Sequence, residues 1–234
     1  MNPTTLNLLA VSVFAFTILS LVGPLLNISP GAVAIALTGC AGVIAVDRFG
    51  AQGKGGNLLI DLVSRQSSEY RQRILHHEAG HFLIVYMLDI PVESYTLSAW
   101  EAIKIGLPGL GGVVFNTEAI EADIAKGSLS AQQINRYCII WMAGIAAEQR
   151  TYGNAQGGQD DQAKLRLLWQ KTERPAQGVD THLRWSLLQA ASLLERQETA
   201  YEALVTAMES RASVTDCCAA IEQHRVETEP LAAA

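Results

Sequence analysis

Residues 77–81 read His77-Glu78-Ala79-Gly80-His81, an H-E-x-x-H spacing. On a helix, positions i and i+4 project from one face. The two imidazoles can therefore hold a single Zn²⁺, and Glu78 between them can take a proton from metal-bound water. The expected chemistry is metal-dependent hydrolysis, most simply by an endopeptidase with one Zn²⁺ per chain. Zinc needs a third protein ligand if its fourth position is to stay open. The chain has five histidines, so the candidates are few. His76 falls on the wrong face of the motif helix. His182 and His224 lie on later helical stretches and read as helix-surface residues. Asp160 and Asp161 stand at a loop-to-helix junction, where capping would use one of the pair. Glu148 is a further carboxylate in range of the choice.

The elements that must position these groups are mainly helical. Ser68 to Asp89 reads as the motif helix, stopped by Asp89-Ile90-Pro91. Gly80 inside it costs about 1 kcal/mol relative to Ala, and close approach of another backbone would explain it. Val92 to Ser98 and the short run Gly112, Val113, Val114, Phe115 read as two strands around a Gly-rich loop. They make a small β-hairpin, and the second strand could pair with an extended polypeptide substrate. Ser130 caps a long apolar helix to about Tyr152. A polar loop from Gly153 leads into a helix that ends near Lys171. Thr181 to Met208 and Val214 to His224 carry helical periodicity, and residues 227–234 read as a disordered tail.

Met1 to Val46 contains no Asp, Glu, Lys, Arg or His. Thr5 to Ile28 is long enough to cross a bilayer, which takes about 20 residues. A turn at Asn27–Gly31 and a second apolar run, Ala32 to Val46, complete a transmembrane helical hairpin over residues 1–48, with membrane lipid as its partner. Residues 1–8 lack the positive charge of a secretory signal. Arg48, Lys54, Arg65, Arg71 and Arg73 follow the second run, so the positive-inside rule makes that side cytoplasmic. The chain then reads as an integral membrane protein with its catalytic domain in the cytoplasm. A Gly-rich linker occupies 49–69 and the catalytic domain 70–226. The formal net charge is −6, and without a basic cluster nucleic acid is not an expected partner. The four cysteines form no C-x-x-C pair, so neither a disulfide framework nor a thiolate zinc site is expected. No phosphate-binding loop is present, since Gly53-Lys54-Gly55 lacks the required spacing.

The order of His77-Glu78-Ala79-Gly80-His81, the strand-loop-strand, Met142-Ala143-Gly144-Ile145-Ala146-Ala147-Glu148 and Gly157-Gly158-Gln159-Asp160-Asp161 resembles the peptidase domain of the FtsH-type membrane zinc metalloproteases. The resemblance spans roughly residues 70–225. In that family a Gly-Arg-x-Ala-Glu-type signature lies on the long helix, and here Ile145 replaces the Arg. The family's third zinc ligand falls on Asp161. The resemblance thus implies His77, His81 and Asp161 as ligands and Glu78 as the catalytic base. It also implies a hexameric homo-oligomer, although the ATPase domain that helps assemble such rings has no counterpart between hairpin and peptidase here. The expected activity is cleavage of unfolded or membrane-protein segments, by the chain alone or fed by a separate ATPase partner. The alternative is a non-proteolytic adaptor or assembly subunit of a membrane protease complex. An intramembrane protease is disfavoured because Glu69, Arg71, Arg73, His76 and Glu78 crowd the start of the motif helix.

Overall fold

The computed structural model describes residues 3–50, 67–106, 112–117, 129–172 and 174–227. Most of the expected linker, the centre of the Gly-rich loop and the expected disordered tail lie outside the described residues. The chain divides into two compact units, one of Met1–Tyr70 with Ser98–Leu110 and one of Arg71–Leu97 with Gly111–Ala234.

In the first unit, helix α1 (Pro3–Val22) runs through a 3-10 turn (Gly23–Leu26) to helix α2 (Pro30–Gly50). Asn27 takes a left-handed conformation, φ 58°, at the reversal. The Ser29 side chain then accepts from the Ala32 N–H at 3.1 Å and opens α2. The two helices stand where the membrane spans were expected. Among the described residues, however, no helix is long and apolar enough to cross a membrane. The expected spans run through Leu8, Leu9, Ile44 and Ala45, whose side chains lie outside the described residues. Phe14, Leu21, Leu25, Ile35, Val43 and Val46 are all exposed. A short helix α4 (Ala99–Lys104) also belongs to this unit, capped by Ser98; the sequence analysis assigned no element there.

The second unit is helical around one small sheet. Helix α3 (Ser68–Met87) carries the motif, and every residue from His77 to Val85 is buried. A helix covered on all sides lies at the centre of its unit. Strands β1 (Val92–Thr96) and β2 (Gly112–Phe115) pair antiparallel, with a register irregularity between Val92 and Ser94. Helix α5 (Ala131–Tyr152) starts at the expected Ser130, which with Gln133 forms a reciprocal capping box, and ends at Gly153 with φ 74°. Helices α6 (Gln159–Lys171), α7 (Val179–Arg196), α8 (Glu198–Glu209) and α9 (Val214–His224) complete the unit. The run expected as one helix from Thr181 breaks at Gln197. That buried amide donates to Val226 O at 2.7 Å and accepts from Val226 N at 2.9 Å, which fastens the end of the described chain. Phe82, Leu83, Ile140, Met142, Leu165 and Leu204 are among the largest fully buried side chains.

Gly80 has the explanation the sequence suggested. A Cβ there would lie 2.6 Å from Ala143 O and 2.7 Å from Ala147 Cβ. Helices α3 and α5 therefore cross in backbone contact, and that contact sets the distance between the motif and the residues opposite it.

Candidate metal centre

Three helices supply the site. Helix α3 presents His77 and His81 one turn apart. Asp161, in the first turn of α6, reaches both. His81 Nε2 lies 3.1 Å from His77 Nε2. Asp161 Oδ2 lies 3.2 Å from His77 Nε2 and 3.5 Å from His81 Nε2. A tetrahedral zinc site with bonds of about 2.0–2.1 Å separates its ligand atoms by roughly 3.3–3.4 Å. The three edges bracket that value. Among the described residues this is the group of three or more His, Cys, Asp or Glu that could hold a metal ion.

Hydrogen bonding fixes what these atoms offer. His81 Nδ1 lies 2.8 Å from Ile140 O, and a carbonyl only accepts, so Nδ1 carries the hydrogen. His77 Nδ1 lies 2.8 Å from Glu148 Oε1 and donates to that carboxylate. Each Nδ1 is thus committed to its own acceptor, and Nε2 is the nitrogen left facing inward. With Asp161 Oδ2, three potential ligand atoms converge within 3.5 Å of one another. Such a donor set suits a cation.

The electrostatics agree. Burial works to lower the His77 pKa, but hydrogen bonds to the Asp161 and Glu148 carboxylates outweigh it and push the value up to about 10. The pocket thus favours a positive charge at this point, carried by a proton on the ring or by a cation in its place. Burial would raise the Asp161 pKa, yet the two imidazoles and Lys164 hold it far below the usual carboxylate range. Lys164 Nζ lies 3.1 Å from Asp161 Oδ1. Glu78 has a different environment. It is buried, which raises its pKa above the ordinary value, with His77 and His81 opposing. Its Oε2 has no hydrogen-bond partner among the described residues.

Glu148 does not join the triangle. Its Oε1 accepts from His77 Nδ1 and from Gly157 N at 3.1 Å, and its Oε2 accepts from Gln156 N at 2.8 Å. Burial opposes its charge, but those bonds more than offset it and keep the carboxyl below its ordinary pKa. Arg73 Nη1 lies 3.6 Å from Glu148 Oε2 and donates to Asn154 Oδ1 at 3.1 Å. Glu148 thus ties the orientation of His77 to the loop that delivers Asp161. Glu148→Gln should weaken zinc binding by about 10–100-fold, the usual effect of losing such a support. Competition titration against a chelator of known affinity would measure it.

Glycines make the room. A Cβ on Gly144 would fall 2.3 Å from His77 Nε2, and one on Gly157 would fall 2.7 Å from Glu148 Oε1. Gly158 takes φ 86° against Ile145, and neither acidic residue after it caps α6 through its side chain. Asp160 is exposed. The expectation that one of the pair caps the helix therefore fails, because Gly158 occupies the capping position and Asp161 turns into the site.

The remaining histidines are elsewhere. His76 Nδ1 lies 2.8 Å from Tyr201 Oη. His182 stacks between Trp169 and Trp185, at ring distances of 4.7 and 5.2 Å. His224 Nδ1 lies 2.9 Å from Ala220 O. The expected substrate strand, Gly112–Phe115, is a strand, and all four residues are half-buried. Lys164 and Gly157 are site residues to which the sequence motifs assigned no role. Lys164 carries no motif signal, but its i,i+3 spacing from Asp161 puts the two on one helix face. No family model matches the chain, and no curated protein matches it either.

Proposed function

We propose that this chain is a membrane-anchored zinc metalloendopeptidase of the FtsH-like type. The observation that carries the reading is the triangle of His77 Nε2, His81 Nε2 and Asp161 Oδ2, with each Nδ1 engaged by its own acceptor so that Nε2 faces the site. These three residues would hold one Zn²⁺. When bound, that ion supplies Lewis acidity, polarising a carbonyl and making water a stronger acid. Glu78 takes a proton from the attacking water and returns it to the leaving amine. Its raised pKa suits both transfers better than an ordinary carboxylate would, because a base must also be able to act as an acid near neutral pH. Gly112, Val113, Val114 and Phe115 would pair with an extended substrate backbone.

The substrates are polypeptide segments already unfolded, or loosely folded membrane proteins, which can meet the site as extended chains. A separate ATPase or assembly into a ring would extend that range. The exposed apolar side chains of α1 and α2 support a membrane anchor. The positive residues after α2 support a cytoplasmic peptidase domain.

Stripping the purified chain with a zinc chelator should abolish cleavage of unfolded casein, and stoichiometric zinc should restore it. A purified chain that carries and takes up well under one zinc would instead favour the non-proteolytic adaptor.

A further inference from the structure

We infer that Lys164 is a positioning residue that keeps Asp161 a one-oxygen ligand. The inference rests on the metal-binding reading above and adds a control on coordination number. The two oxygens of Asp161 are divided between partners. Oδ2 faces His77 Nε2 and His81 Nε2 at 3.2 and 3.5 Å, whereas Oδ1 lies 3.1 Å from Lys164 Nζ. Asp161 and Lys164 stand three residues apart in the first turns of α6, on one face. The carboxylate is buried, while the lysine side chain is 56% exposed, so its ammonium reaches Oδ1 from the solvent side.

A carboxylate can bind a metal through one oxygen or both. With both, Asp161 would crowd the position that a hydrolytic site leaves open. A charge-assisted hydrogen bond from Lys164 holds Oδ1 away and fixes the plane of the carboxylate. No other lysine or arginine contacts Asp161 among the described ion pairs. Arg73 sits against Glu148 instead, on the opposite side of His77. Lys164 acts only through Asp161, so its effect is on geometry rather than on occupancy.

The test is the visible spectrum of the full-length chain loaded with Co²⁺ in place of zinc. Four-coordinate cobalt absorbs much more strongly than five-coordinate cobalt. Wild type should take up one Co²⁺ with the intense tetrahedral bands. Lys164→Met should still bind one, but with roughly a twofold loss of extinction as Asp161 turns and coordination expands. Lys164→Arg should restore the wild-type spectrum, because a guanidinium can hold the same oxygen. If Lys164→Met gives the wild-type spectrum, the inference is overturned and the metal-binding reading stands. A Lys164→Met chain with native circular dichroism but no bound cobalt also overturns it, since the lysine would then govern occupancy. If wild type takes up neither cobalt nor zinc, the metal-binding reading itself fails and takes this inference with it.

Discussion

Gly144→Ala should give a folded protein that no longer takes up zinc. The added Cβ would lie 2.3 Å from His77 Nε2 and 2.5 Å from the two ring carbons beside it. No pair of such atoms tolerates that distance, so the imidazole or the α5 backbone must move. The backbone has little freedom, because Gly80 already brings α3 against Ala143 O. The ring therefore yields, and it yields at its coordinating atom. Its other nitrogen is bonded to Glu148, so it cannot rotate away without breaking that contact too. Zinc affinity should fall by more than about 100-fold, beyond the usual loss of one supporting contact. The three atoms nearest that Cβ all belong to the His77 ring, so far-ultraviolet circular dichroism should stay close to wild type. Unchanged zinc uptake would mean that the His77 ring does not lie against residue 144.

Glu78→Gln should keep the zinc and lose the reaction. Glutamine matches the shape of glutamate but cannot accept a proton, and Glu78 Oε2 makes no hydrogen bond among the described residues. Loss of a positioned general base lowers rates by about 10²–10⁴-fold. Cleavage of unfolded casein should drop by that factor at wild-type zinc content. Burial disfavours the Glu78 charge, so removing it should leave the thermal midpoint unchanged or raised. A gain in stability with a loss of activity is the signature of a residue kept for function. A variant that cleaves within about tenfold of wild type would remove Glu78 from the base role.

Local signals carried much of this organisation. The five-residue motif placed His77 and His81 side by side because helix geometry alone puts positions 77 and 81 on one face. Ser130 announced α5 because a capping side chain acts within one turn. Gly80 announced the crossing of α3 and α5 because a mid-helix glycine needs a reason. Groups whose role depends on distant contacts were harder to read. Glu148 looked like a possible ligand, and only the fold shows it on the far nitrogen of His77, receiving two backbone N–H groups from residues 156 and 157. Nothing local separates a carboxylate that binds metal from one that orients a histidine. The break at Gln197 escaped notice for the same reason: its amide is satisfied by Val226, 29 residues away. The choice of Asp161 over Asp160 came from family resemblance. Physically it follows from a helix that opens at Gln159 after the left-handed Gly158, with Asp161 buried in its first turn and Asp160 exposed.

The most direct measurement is the zinc content of purified Asp161→Ala and Asp160→Ala chains beside wild type, by atomic emission on protein of matched circular dichroism. Wild type and Asp160→Ala should each carry close to one zinc and cleave unfolded casein alike, while Asp161→Ala should lose both metal and cleavage. Full zinc in Asp161→Ala, or its loss in Asp160→Ala, would contradict the His77–His81–Asp161 centre.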